Sequence, residues 1–215
     1  MGRRKREPEA VHRGNIFAAA KGLFIRYGIR AVTMEDIAKE AGYSKATLYV
    51  YFRDKEEIID VMILESMRLL RDSLRGALAA DNGGGARERY RAVCGALVEY
   101  QETQPLYFEM AIGEIHVDVE SPDCLQVERE IVEAGEEINE ELAGFLRAGI
   151  RSGEIRSDIS VMETVFFFWA ALAGVIQMGE RKKQYFKGAM GVSKKQFLDY
   201  GFENLWRCIG AEVDA

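Results

Sequence analysis

Proline is nearly missing from this chain, occurring only at positions 8, 105 and 122, and apolar residues never alternate with polar ones over a strand-length run. Both scarcities argue against a β-sheet protein, whose strands need a period of two and whose turns draw on proline. Cys94, Cys124 and Cys208 are odd in number and far apart, which excludes a disulfide framework and any closely spaced metal or redox pair. That usage fits the reducing cytoplasm. The longest uncharged stretch, Thr164 to Gly179, has 16 residues, short of the roughly 20 that span a bilayer. It reads as a buried helix, so no membrane partner is expected. The basic start MGRRKREPEAV leads into an amphipathic pattern and lacks the apolar run of a signal peptide.

Chemistry-bearing clusters are also scarce. His116 lies near Glu114, Asp118 and Glu120, but these acids do not share a helical face and no cysteine is close, so a solvated loop is the better reading than a metal site. His12 stands alone in the first helix. No nucleophile has an evident base, and no glycine-rich phosphate loop or paired buried carboxylates can be found. The expectation is a protein without cofactor or metal that is not an enzyme.

What is present is a core and an uneven charge. With 48% hydrophobic and 30% charged residues, the composition is that of a soluble globular protein. The formal charge of −6 conceals an asymmetry: residues 1–55 hold twelve Lys and Arg against six Asp and Glu, and the remainder is strongly acidic. A basic head on an acidic body implies that only the head meets a polyanion.

Apolar residues recur at three- and four-residue spacing almost throughout, which predicts an all-α fold of about nine helices. Helix one runs from Glu9 to Tyr27, with Ile16, Leu23 and Tyr27 on one stripe and Gly28 ending it in the left-handed conformation. Thr33 and Asp36 form a capping box for a second helix, Gly42 breaks it, and Ser44 caps a third carrying YSKATLYVYF at 43–52. Asp54 and Glu57 cap a long fourth helix reaching about Ala80. DNGGG at 81–85 is the clearest linker. Further helices are expected over 87–103, from Pro105 to about Ile115, over about 123–151, over about 161–180, and from a Ser193–Gln196 capping box to Ile209.

Two short helices joined at Gly42, with another packed across them, form a helix-turn-helix. Leu48 and Phe52 point into the small core, which leaves Ser44, Lys45, Thr47 and Tyr51 outside and Tyr49 at the flank. Hydroxyls, a lysine and tyrosine rings suit phosphate, sugar and thymine methyl contacts. The competing reading makes these tyrosines core rings with wet hydroxyls.

TMEDIAKEAGYSKATLYVYFRDKEEII at 33–59, together with NIFAAAKGLFIRYGIRAV at 15–32, resembles the DNA-binding signature of the tetracycline-repressor (TetR) family. Phe24, Gly28, Thr33, Ile37, Ala38, Ala41, Gly42, Leu48, Tyr49, Phe52, Lys55 and Glu56 all fall where the family pattern expects them. The resemblance covers about the first 60 residues and implies a homodimeric transcription regulator, usually a repressor, whose body binds a small molecule that lowers DNA affinity. Position by position it implies that Thr33 and Lys55 hold phosphates and that Lys45, Thr47 and Tyr49 lie in or beside the major groove of a double-stranded operator. Ser44 and Tyr51 would be further contacts. Val50 departs from the histidine many relatives carry there. The division expected is residues 1–55 for DNA reading and 56–215 for ligand binding and dimerisation.

The body carries less information. The last helix has two apolar faces, one formed by Phe197, Gly201, Leu205 and Cys208, and VFFFWAALAGVIQ before it is apolar nearly all round with small Ala170, Ala173 and Gly174. Both helices therefore need a partner, met by a four-helix contact in a homodimer. Met62, Met67, Leu97, Tyr100, Phe108, Met110, Phe145, Phe168 and Trp169 would suit a pocket for an apolar or amphipathic ligand, although each residue taken singly reads as ordinary core. Two other functions fit the sequence: a helical small-molecule binder that has lost operator binding, and a constitutive DNA-binding regulator without a ligand.

Overall fold

A computed structural model describes residues 8–79, 84–113 and 117–211. The helices are α1 (Glu9–Tyr27), α2 (Met34–Ala41), α3 (Lys45–Tyr51), α4 (Lys55–Ala79), α5 (Ala86–Thr103), α6 (Pro105–Ala111), α7 (Gln126–Ser152), α8 (Val161–Arg181), α9 (Lys183–Tyr185) and α10 (Lys194–Ile209). No strand occurs among the described residues; a single antiparallel bridge joins Ile155 to Gly210. The helix beyond the expected nine is α9, which runs on as a π-helical turn over Phe186–Met190 and closes at Gly191 with φ 65°. Most of the linker at 81–85, and Glu114 and His116, lie outside the described residues. So do residues 1–7 of the basic tail.

The chain divides into two compact units. The first comprises residues 1–65 and 118–131, that is α1 to α3 with the start of α4 and of α7. Its core is built by Ile16, Ala20 and Phe24 of α1, Ile37 and Ala38 of α2, Leu48 and Phe52, and Ile58 and Met62 of α4. Tyr27, the last residue of α1, departs from the expected inward stripe and is exposed, with the Arg26 guanidinium over its ring.

The caps explain the boundaries. Thr33 Oγ1 accepts the Asp36 amide at 3.2 Å while the Asp36 carboxylate accepts the Thr33 amide at 2.9 Å, closing the box that starts α2. Gly42 ends α2 in the left-handed region, φ 75° and ψ 25°, which a Cβ would disfavour. Gly28 corrects the expectation made for it: φ is 80° but ψ is 150°, a positive-φ extended bend. Asp54 caps α4 through the Glu57 amide at 2.9 Å, yet the Glu57 carboxylate takes the Arg53 amide at 2.7 Å, so no reciprocal box forms there.

Asp60, on the α4 face of this unit, is half-buried, and desolvation pushes its carboxyl up to about 6, helped by the negative charges of Glu128 and Asp54. A raised acid contributes stability that is complete below its unfolded value and lost as pH rises through about 6. Asp60→Asn is therefore expected to raise the thermal midpoint above about pH 7 and to leave it unchanged below about pH 4. Equal shifts at both pH values would remove Asp60 as the cause.

The second unit holds residues 66–117 and 132–215. There α4 is tied to α7 by Arg71–Glu137 at 2.8 Å and Arg75–Glu141 at 2.6 Å. The Tyr100 hydroxyl donates to the Ser66 carbonyl at 2.8 Å. α10 lies antiparallel on α8: a Cβ at Gly201 would stand 2.8 Å from Val175 Cγ1, and one at Gly179 would stand 2.9 Å from Leu198 Cδ2. Val165, Phe168, Leu172 and Ile176 form the buried face of α8, whereas Phe166, Phe167, Ala170, Gly174 and Met178 are exposed. At 21 residues, with a mean hydropathy of 1.6 over its most apolar 18, α8 is the one helix among the described residues long and apolar enough to cross a bilayer. Length alone therefore does not carry the argument drawn from the 16-residue run.

Candidate functional site

α3 is anchored by Leu48 and Phe52, both fully buried, and this decides what its other face presents. Ser44 accepts the Thr47 amide at 3.0 Å and its hydroxyl meets the Thr47 hydroxyl at 2.7 Å, so the two residues cap the helix and keep oxygen and proton positions at its surface. Lys45 is exposed, with only a loose approach of 3.8 Å to Glu35. Tyr49 is 48% and Val50 74% exposed. Ser44, Lys45, Thr47 and Tyr49 thus share the accessible side of α3, and Thr33 is exposed at the start of α2.

Two of the residues expected to touch DNA have structural partners. The Lys55 ammonium donates to the carbonyls of Ile29 and Val32, at 3.3 and 3.2 Å, and so holds the turn between α1 and α2. One of its three protons remains for an anion. Tyr51 is half-buried, its ring 5.1 Å from His12 and 6.4 Å from Tyr43, while the Tyr43 hydroxyl meets His12 Nδ1 at 2.8 Å. Arg13 completes this support. It bonds the Tyr51 carbonyl, reaches Glu57 at 2.8 Å and lies over the Phe52 ring at 4.1 Å from its centroid. Spacing arguments missed His12, Arg13 and Tyr43 because each acts across more than thirty positions of sequence.

In the second unit, Leu97, Phe145, Phe168 and Trp169 line a small apolar cavity of about 40 Å³ together with Tyr90 and Leu172. Met67, Tyr100, Phe108 and Met110 are buried outside that lining, and Met62 belongs to the first unit's core. Tyr100 and Phe108 pack edge to face at 6.3 Å, and Met67 lies against Gly135. On the expected contact surface, Ala170, Gly174 and Cys208 are exposed, and Ala173 and Leu205 half-buried. Phe197 instead stacks on Phe186 at 4.4 Å, and Gly201 seats Val175, so both serve packing within one chain.

Residues 16–62 match the family model for bacterial regulatory proteins of the tetR family. The transcriptional repressor KstR2 of Rhodococcus jostii is 29% identical over 185 residues, covering 80% of this chain and 86% of that protein. A tetR-family regulatory protein from Rhodococcus RHA1 shares the fold with a TM-score of 0.67 at 17% identity, over 94% of this chain and 98% of the other. FadR of Bacillus subtilis, solved with stearoyl-CoA, does so with a TM-score of 0.66 at 20% identity, over 89% and 96% of the two chains. The matched segment contains the capped α2, the Gly42 turn and α3 with its exposed lysine and tyrosine. Residues 16–62 thus carry a helix-turn-helix segment of the kind found in TetR-family, DNA-binding transcriptional regulators, and the rest of the chain shares the fold of such proteins.

Proposed function

We propose that the chain is a cytoplasmic, non-enzymatic homodimeric repressor released from a double-stranded operator by a mainly apolar or amphipathic small molecule, with residues 1–55 reading DNA and residues 56–215 binding ligand and partner. The observation that carries this reading is the surface of α3, where Lys45 and Tyr49 are exposed beside the Ser44–Thr47 cap. A short helix whose amide end is aimed outwards, flanked by hydroxyls and one cation, grips a phosphate and leaves its side chains to the base edges. The exposed phenylalanine face of α8 supports a two-fold contact. The wholly apolar lining of the small cavity, which must widen to admit a ligand, supports an apolar effector, as does the stearoyl-CoA carried by the Bacillus subtilis neighbour. α4, about 37 Å long at 1.5 Å per residue, begins in the first unit and ends in the second, which makes it the continuous element through which ligand acts on DNA affinity.

Selection of bound sequences from random duplex DNA, followed by mass spectrometry of whatever small molecule the native protein releases on denaturation, tests the reading. Failure to enrich any sequence would sink it. Lys45→Ala is expected to flatten the slope of log affinity against log salt by about one with the fold unchanged. Lys55→Ala is expected to lower the thermal midpoint as well, because two carbonyls lose their donor. Melting of Lys55→Ala at the parent temperature would assign that lysine to DNA alone.

A further inference from the structure

Tyr90 of α5 stands between two spaces in the second unit. Behind it lies the small apolar cavity of about 40 Å³, room for little more than a water molecule. In front of it an open cleft of about 830 Å³ runs between α5 and α10, within the size range of small-molecule sites. Aromatic rings continue from one space to the other, with Trp206 5.4 Å from Tyr90 and Phe168 5.9 Å beyond. The Tyr90 hydroxyl donates to the Phe202 carbonyl at 2.9 Å, which latches the ring in place.

The charges of the cleft are sorted by end. At the end near the start of α5, three guanidiniums converge on the single carboxylate of Glu203: Arg87 at 2.5 Å, Arg91 at 3.6 Å and Arg207 at 3.9 Å. Positive charge is in surplus there even with Glu88 close to Arg87. Arg91 and Arg207 lie beyond hydrogen-bond distance from Glu203, and the Arg87 Nε is sealed from solvent without an acceptor. At the other end acids are in excess: Lys195 pairs with Asp199 at 2.6 Å, Lys194 is shared between Glu102 at 2.8 Å and Glu180 at 2.9 Å, and Glu99 also lines the cleft. An anion entering the cleft is therefore drawn to one end, where planar forks suited to a carboxylate or phosphate remain open.

We propose that this cleft is the outer half of the effector site, in which Arg91 and Arg207 hold the acid group of an amphipathic organic acid while Tyr90 swings aside and the apolar body widens the cavity behind it. The proposal rests on the reading that the second unit binds an effector, and it names the effector's chemistry. It also accounts for the two sizes, since neither the small apolar cavity nor the charged cleft alone accommodates a molecule with one charged end and a long apolar one.

Calorimetric titration of the full chain with dodecanoate, and with dodecanol as its neutral match, tests this. Dodecanoate is expected to bind once per chain. The Arg91→Gln/Arg207→Gln double variant, altered only at exposed side chains, is expected to weaken dodecanoate roughly tenfold or more and leave dodecanol unchanged. Tyr90→Phe, which keeps the ring and removes the latch, is expected to speed dodecanoate association several-fold. Equal binding of acid and alcohol, indifferent to the double variant, would overturn the arginine anchor and leave the effector reading intact. An unchanged association rate in Tyr90→Phe would overturn the door. No binding of dodecanoate to the parent chain overturns the proposal, while the effector reading is then decided separately by whether a molecule recovered from the native protein releases the operator.

Discussion

Gly174→Arg is expected to convert the proposed homodimer to a folded monomer, whereas Gly201→Arg is expected to destabilise the body of the protomer itself. The two glycines face different neighbours. Nothing lies within 4 Å of a Cβ built on Gly174, which sits on the exposed face of α8 with Phe166, Phe167 and Ala170. An arginine there costs the protomer nothing in packing and gains about 1 kcal/mol of helix propensity over glycine. It places a charge and a long side chain into any close helix contact across a two-fold axis, a penalty of about 3 kcal/mol or more at each of two symmetric positions. At Gly201 the first added carbon already meets Val175 Cγ1 at 2.8 Å and Cγ2 at 3.3 Å. Overpacking of that kind costs about 1–3 kcal/mol before the charge is considered, so a midpoint lowered by roughly 10 °C is expected. Sedimentation at matched concentration and thermal melting separate the outcomes. A dimeric Gly174→Arg would place the interface on another face, and a Gly201→Arg that melts with the parent would show that α8 and α10 give way more easily than Val175 allows.

The division between what sequence shows and what it hides follows from distance along the chain. Caps act over three residues, so Thr33–Asp36, Ser44–Thr47 and Ser193–Gln196 were legible and their helices begin where the pattern places them. Leu48 and Phe52 were legible because four residues return a helix to the same face. Periodicity also marks α8 and α10 as apolar on more than one side, but it does not say which side meets the protomer's own chain. Phe197 and Gly201 were assigned outward on that basis, and the Phe186 ring and Val175 occupy them instead. The apolar cavity shows the same limit. Leu97, Phe145, Phe168 and Trp169 line it and Tyr90 was overlooked, because a wide side chain in a core and one at a cavity wall have the same spacing. Lys55 illustrates a residue whose position matches the family while its local partners, Ile29 and Val32 carbonyls, lie more than twenty residues away.

Arg13→Ala is expected to weaken operator binding by tenfold or more without changing the salt slope, although Arg13 lies on α1 and takes no place on the exposed side of α3. Its guanidinium bonds the carbonyl of Tyr51, the last residue of α3, and reaches the Glu57 carboxylate at 2.8 Å in the first turn of α4. The same group covers the Phe52 ring at 4.1 Å, so one side chain fixes the end of α3, the connection to α4 and the core residue between them. Glu57 has only 13% of its side chain exposed, and removing its cation leaves a mostly buried carboxylate held by the Arg53 amide alone; a loss of about 2 kcal/mol in the first unit is expected. The DNA effect has a different origin. In the proposed reading Lys45 and Tyr49 reach phosphates and base edges only while α3 keeps its direction, and a shift of about 1 Å is enough to lose hydrogen bonds whose length tolerance is a few tenths of an ångström. Because Arg13 neutralises no phosphate in this arrangement, the number of counterions released on binding stays the same and the line of log affinity against log salt moves down in parallel. Lys45→Ala should change that slope, which makes the pair a test of position against contact. Arg13→Lys retains a charge for Glu57 but loses the fork, so it is expected to recover stability more than affinity. An Arg13→Ala variant whose slope falls by about one, like that of Lys45→Ala, would place Arg13 on the phosphates themselves and would end its role as the strut of α3.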